Sequence, residues 1–318
     1  MKPVFLFSLP RSGSTLIQRV LALHSQIDTV SEPWILLPYL YSLKKEGICA
    51  EYGHFMLQEA VSDFCNKLPN GQEDYLAEMR MFVLNLYRHA SSSNSIYFLD
   101  KTPRYHLIVN EVFQLFPQEK YIFLWRHPLA LIASIIDTWA DGKWNLFRYE
   151  VDLFQGLGNL IDAYSRNQDI SYSLRYEDFL LNQEDELKKI YQYLDLPSDL
   201  SFRLTDVPEL KGRWGNPPKA KKYKTLSKDP LNKWKATLSN PLRKAWCKKY
   251  LMWIGKDRLK IMSYELDELL DELTTIPTDF RSVHSDMIRM TYGYSHEKMK
   301  NAAKHILLSK KERQAIAR

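Results

Sequence analysis

The sequence predicts an α/β fold of three layers, with a central, mainly parallel sheet flanked by helices on both faces. Three observations predict it. Short apolar runs of strand length recur along the chain, as in Val4-Phe5-Leu6-Phe7-Ser8 and Tyr121-Ile122-Phe123-Leu124-Trp125. Stretches with helical spacing separate them, and strands alternating with helices imply parallel pairing. The runs are also apolar throughout rather than alternating, which is how strands covered on both faces read.

The first strand, Val4–Ser8, leads through the turn Leu9–Gly13 to a helix that begins near Ser14. There Leu16, Ile17, Val20, Leu21 and Leu23 recur at helical spacing. Asp28–Val30 reads as a short second strand. Residues 35–95 read mainly as helix, broken at Gly47, Gly53 and Pro69-Asn70-Gly71, and form a helical insertion. Ile96–Leu99 is the next strand, Tyr105–Phe116 is helical, and Tyr121–Trp125 precedes a helix over Leu129–Trp139. Ser171–Arg175 is a further strand. Residues 211–230 are rich in Lys, Gly and Pro and read as a basic loop. The reading divides the chain into an α/β domain over residues 1–275 and a basic helical extension over 276–318, whose last stretch, Lys298–Arg318, is mildly amphipathic.

Composition narrows the function classes. The 318 residues are 45% hydrophobic and 26% charged, ordinary for a globular protein, and the net charge of +6 suits an anionic ligand without requiring one. Cys49, Cys65 and Cys247 are too few and too scattered for a disulfide framework or a zinc site, so they are expected as buried free thiols. No stretch approaches the ~20 apolar residues of a membrane span, and Val4–Leu9 is too short for a signal-peptide core. Basic residues without interleaved aromatics disfavour nucleic acid. A bacterial cytoplasmic protein is the expectation.

The segment Phe7-Ser8-Leu9-Pro10-Arg11-Ser12-Gly13-Ser14-Thr15 joins a strand to a helix. Such a turn aims backbone N–H groups and the positive end of a helix dipole at one point, a P-loop-type anion site. Gly13 lets the backbone approach an anion. Ser12, Ser14 and Thr15 add hydroxyls, and Arg11 adds a forked permanent charge. The nucleotide-kinase loop needs G-x-x-x-x-G-K-[ST]. Here Ser8 replaces its first Gly, and Ser14 stands where its Lys should be. The loop instead resembles the 5′-phosphosulfate loop of sulfotransferases that use 3′-phosphoadenosine 5′-phosphosulfate (PAPS), in which Lys or Arg precedes S-G-[ST]-[ST].

Three further segments carry the same resemblance, which covers roughly residues 3–270 and is looser past Leu180. Trp125-Arg126-His127-Pro128 follows a strand and opens a helix, with Ser134 eight residues after Arg126. It resembles the family's 3′-phosphate motif, which implies that Arg126 and Ser134 bind the 3′-phosphate. Arg175-Tyr176-Glu177-Asp178-Phe179 is similar to R-Y-E-[DQ]-[FL] and implies Tyr176 near the adenosine. Asp100-Lys101-Thr102-Pro103 is similar to [DNE]-K-[STD]-P and implies that Lys101 reaches the sulfuryl group or its bridging oxygen. Lys224 is a candidate phosphate contact, with Lys219, Lys221, Lys222 and Lys228 competing for that role.

On the acceptor side, a neutral alcohol is a poor nucleophile, and a positioned base helps by roughly 10²–10⁴-fold. Glu32, in Val30-Ser31-Glu32-Pro33-Trp34, is the candidate. Protein-tyrosine and many carbohydrate sulfotransferases have a Glu in this region, and E-P-[LMFW] is typical of several carbohydrate enzymes. His106 is the alternative base, since the small-molecule enzymes use a histidine; His127 reads as structural. The resemblance implies in-line transfer with Glu32 taking the acceptor proton, Arg11 and Lys101 stabilising the growing charge, adenosine 3′,5′-bisphosphate as product, and no metal. A glycan or glycolipid hydroxyl is the first acceptor expected, from Glu-Pro-Trp and the eight tryptophans. Protein tyrosine comes second and a small alcohol or phenol third. A phosphotransferase with Asp100 on a metal, or a silent nucleotide-binding module, are the alternatives.

Overall fold

The computed structural model describes residues 1–45, 48, 50–198, 210 and 231–299. Its centre is a five-stranded sheet of β1 (Lys2–Ser8), β2 (Ile27–Thr29), β3 (Tyr97–Asp100), β4 (Lys120–Trp125) and β5 (Ser171–Arg175), in the order β2-β3-β1-β4-β5. All four pairings are parallel; Val4, for example, lies opposite Leu99 on one side and Lys120 on the other.

The strands are apolar throughout because both faces are covered. Residues alternate between faces with period two. Phe5, Phe7, Phe98, Tyr121 and Phe123 therefore fill one layer, and Val4, Leu6, Leu99, Ile122, Leu124 and Leu174 fill the other. The first layer is aromatic, with Phe7 stacked on Tyr121 at 5.9 Å between centroids. It is covered by α2 (Leu36–Tyr41), α4 (Gln72–Ala90), α5 (Val109–Leu115), α6 (Pro128–Trp139) and α7 (Leu157–Arg166), with α3 (His54–Cys65) packed on α4. The second layer is covered by α1 (Ser14–Leu21), α8 (Tyr176–Leu181) and α9 (Gln183–Tyr193). Phe123 is fully buried, and truncating such a ring to Ala costs about 3–5 kcal/mol.

Chain direction positions the site. After β1 the chain crosses through α1 to β2 on one side of the sheet; after β4 it crosses through α6 to β5 on the other. Neighbouring parallel strands whose exits diverge leave a crevice at their carboxyl ends, where ligands of such folds bind. The loop carrying Arg11–Thr15 and the corner carrying Arg126 flank that crevice.

Two stretches differ from the sequence reading. The single helix expected over Tyr105–Phe116 is a tight 3₁₀ stretch, Pro103–Leu107, followed by α5, with a break at Ile108. Asp28–Val30 is shifted one residue, to Ile27–Thr29. Beyond β5 the chain continues into α10 (Trp234–Thr237), α11 (Pro241–Ile254), α12 (Lys256–Ile261), α13 (Leu266–Thr275) and α14 (Val283–Ile288). Past Ile276 it is tied to α11 by a buried ion pair, in which Arg243 Nε donates to Asp286 Oδ2 at 2.6 Å. Cys65 and Cys247 are buried free thiols. Lys219, Lys221, Lys222, Lys224, Lys228, Cys49 and residues 300–318 lie outside the described residues. Among the described residues no helix is long and apolar enough to cross a membrane.

Candidate functional site

The turn after β1 is built on two left-handed residues, Arg11 (φ 70°) and Gly13 (φ 94°). A side chain at Gly13 is excluded twice over. Its conformation disfavours a Cβ, and a Cβ there would lie 2.3 Å from Cε2 of Tyr176. Gly13 is the N-cap of α1 and supplies no side-chain cap, so the first N–H groups of the helix face the crevice uncapped. Ser12 and Ser14 are buried, and Thr15 is half-buried.

The second corner comes against the first directly. Arg126, at the carboxyl end of β4, donates from Nη1 to the Arg11 carbonyl at 2.5 Å. Its guanidinium lies 4.9 Å from the Tyr176 ring centroid. Tyr176, at the carboxyl end of β5, is thus wedged between Gly13 and Arg126 and is itself buried. Arg126 Nε and, at the end of β1, Ser8 Oγ are buried with no hydrogen-bond partner. Unmet donors at converging strand ends fit an anionic ligand, because a buried donor left unpaired is costly. The donor set therefore fits an anionic group such as a phosphate.

Lys101 joins the Arg11–Thr15 turn to Glu32. Asp100 and Lys101 are consecutive at the end of β3, so their side chains leave on opposite faces. Asp100 enters the aromatic layer and Lys101 turns toward α1. The fully buried Lys101 donates to Glu32 Oε1 at 2.8 Å and to Thr15 Oγ1 at 3.3 Å. Burial pulls its ammonium below the usual lysine range, and the Glu32 carboxylate opposes that shift. The other Glu32 oxygen accepts from Trp34 Nε1 at 3.2 Å. Trp34 has a left-handed backbone (φ 60°) and is 39% exposed, at the rim.

The remaining candidates fall into place around these groups. Arg11 directs its side chain at α6, donating to Thr138 Oγ1 at 3.3 Å and lying 5.8 Å from the Trp139 ring. Thr138 is one turn beyond the half-buried Ser134, and residues four apart share a helix face; the Ser134 face of α6 therefore looks onto the loop. His106 is buried, with Nε2 2.7 Å from Asp152 Oδ1. His127 accepts from the Ala130 N–H through Nδ1, capping α6. Asp100 accepts from the hydroxyls of Tyr87, Tyr105 and Thr102.

Two further residues shape the site. Thr138 is signalled in the sequence by its i+4 spacing to Ser134, whereas nothing marks Glu177 beyond its place in Arg175–Phe179. It accepts from the His127 N–H at 3.1 Å and from the Tyr264 hydroxyl at 2.6 Å, bracing the Arg126 corner against the helices that follow.

A model of the Sulfotransferase family matches residues 3–199. The chain belongs to the sulfotransferase family. Nodulation protein NoeE of Sinorhizobium fredii is 30% identical over 136 residues, covering 42% of this chain and 31% of NoeE. The protein-tyrosine sulfotransferase of Drosophila melanogaster is 24% identical over 203 residues, covering 62% of this chain and 38% of that protein. The chain thus spans about a third of the length of the curated relatives it matches. Among solved structures, the sulfotransferase domain from the curacin biosynthetic pathway superposes with a TM-score of 0.56 at 22% identity, covering 82% of this chain and 97% of that one. The sulfotransferase domain of the Synechococcus PCC 7002 olefin synthase gives 0.50 at 24%, covering 74% and 87%. This sulfotransferase-family chain shares their three-layer, P-loop-type fold.

Proposed function

We propose that the chain transfers the sulfuryl group of PAPS to an acceptor hydroxyl, first of all that of a carbohydrate or glycolipid. The observation that carries this reading is the Lys101 ammonium, buried between Thr15 of the phosphate loop and the Glu32 carboxylate. One cation thereby links the group that holds an anion to the group that would receive a proton.

In this reading the Arg11–Thr15 turn holds the 5′ end of the donor, Arg126 and Ser134 hold the 3′-phosphate, and Tyr176 supports the adenosine side. Lys224 is proposed as a further phosphate contact. PAPS supplies, when bound, a sulfuryl group activated by its phosphate leaving group. Glu32 is the base: its carboxylate pairs with the Lys101 ammonium and sits at the edge of the crevice beside an exposed indole. Once Glu32 takes the acceptor proton it no longer holds Lys101 by charge. The ammonium can then turn to a neighbouring anionic oxygen, where one well-placed donor contributes on the order of 3 kcal/mol. Arg11 and Lys101 do this work without a divalent ion. The flat indole of Trp34 suits the apolar face of a sugar ring. The name of the Drosophila relative keeps protein tyrosine as the second acceptor class, with a small alcohol or phenol third.

Labelled PAPS offered with a panel of glycans, tyrosine peptides and phenols tests this. The wild type is expected to label a glycan hydroxyl. Glu32→Gln keeps an oxygen for Lys101 but loses basicity, and is expected to lower turnover roughly 10²–10⁴-fold with adenosine 3′,5′-bisphosphate binding retained. Turnover of ATP in place of PAPS, or full activity in Glu32→Gln, overturns the reading.

A further inference from the structure

We propose that Asp100 is a positioning residue for the segment carrying Glu32, acting through two hydroxyl relays: Thr102 to the Trp34 N–H and Tyr105 to the Leu36 N–H. The inference rests on the reading of Glu32 as the base, but its geometry stands apart from it.

Thr102 Oγ1 donates to Asp100 Oδ1 and accepts from the Trp34 N–H at 3.3 Å. The Tyr105 hydroxyl donates to Asp100 Oδ2 and accepts from the Leu36 N–H at 3.2 Å. An ionised carboxylate only accepts, so Asp100 fixes which way both hydroxyls point. With their hydrogens committed inward, each presents a lone pair to an amide. Asp100, Thr102 and Tyr105 are all fully buried, so no water substitutes easily.

The held segment needs holding. Trp34 sits in the left-handed region, a conformation that persists only where surroundings impose it. Leu36 opens α2, whose N-cap Ile35 supplies no side-chain cap; the Tyr105 hydroxyl takes that N–H instead. Glu32 lies two residues before Trp34, and its Oε2 takes the Trp34 indole N–H, so a shift of Trp34 moves the carboxylate with it.

The cluster contains its own control. The Tyr87 hydroxyl, from α4, donates to the same Asp100 Oδ2 at 2.6 Å but is not hydrogen-bonded to any of residues 32–36. The other charge facing Asp100 is that of Lys101.

Hydrogen exchange resolved at the Trp34 and Leu36 amides, combined with steady-state kinetics, tests the proposal on Thr102→Val, Thr102→Ser, Tyr105→Phe and Tyr87→Phe. Thr102→Val is expected to speed exchange at Trp34, and Tyr105→Phe at Leu36. Each is expected to lower kcat about tenfold or more, as small misplacements of a reacting group do, with the Kd for adenosine 3′,5′-bisphosphate unchanged. Thr102→Ser should restore both readouts, and Tyr87→Phe should leave both at wild type. Unchanged exchange in Thr102→Val, or the same losses in Tyr87→Phe, overturns the proposal. If Tyr105→Phe fails to fold, the Thr102 pair decides. A wild type that transfers no sulfate but shows the expected exchange pattern refutes the assigned function and leaves the relay standing.

Discussion

Substituting Gly13 with Ala tests how the two corners of the crevice are locked together. Two costs add. A non-glycine residue at φ 94° costs about 1–2 kcal/mol. A Cβ 2.3 Å from the Tyr176 ring forces that ring off its seat beneath Arg126, and overpacking of this kind costs about 1–3 kcal/mol. Gly13→Ala should therefore lose about 2–5 kcal/mol. Gly142 separates the terms: its φ is 75°, and a Cβ there meets nothing within 4 Å, so Gly142→Ala should lose only the first. Removing the ring should relieve the second. Urea denaturation of Gly13→Ala, Tyr176→Ala and the double variant should give a double loss smaller than the sum by about 1–3 kcal/mol. Additivity within about 0.5 kcal/mol, or a Gly13→Ala loss no larger than that of Gly142→Ala, refutes the packing of loop, ring and guanidinium described above.

Burial pushes Asp100 from 3.8 up to about 6, against the opposing pull of its hydroxyl donors and Lys101. Below pH ~4 both folded and unfolded forms carry the proton. Between about 4 and 6 the folded form keeps a proton that the unfolded form has released, so stability falls as pH rises, by about 3 kcal/mol in all. Chemical denaturation across this range should show that fall removed in Asp100→Asn relative to wild type. Arg126→Lys keeps the charge but loses the fork and the stacking on Tyr176. Calorimetry should show adenosine 3′,5′-bisphosphate weakened about tenfold or more and 5′-AMP much less affected.

The strands were readable because burial on both faces leaves long apolar runs, and the Arg11–Thr15 turn because its Gly and hydroxyls follow one directly. β5 was located to the residue, since Tyr176 begins a helix at once. The break at Ile108 was not readable: Tyr105–Phe116 has helical spacing, but the Tyr105 hydroxyl is drawn to Asp100, and the chain tightens to present it. The pairing of Lys101 with Glu32 spans 69 positions and follows only from the adjacency of β2 and β3 in the sheet. The hydroxyl cluster around Asp100 is likewise tertiary, drawing Tyr87 from α4. The direction of Arg11 depends on a left-handed backbone that a non-glycine residue does not announce.

Cocrystallisation with adenosine 3′,5′-bisphosphate addresses the central claim most directly. One molecule should span the crevice between β1 and β4, its 5′-phosphate on the N–H groups and hydroxyls of Ser12–Thr15 and its 3′-phosphate on Arg126 and Ser134. A nucleotide bound elsewhere, or bound with Arg126 still spent on the Arg11 carbonyl alone, contradicts it.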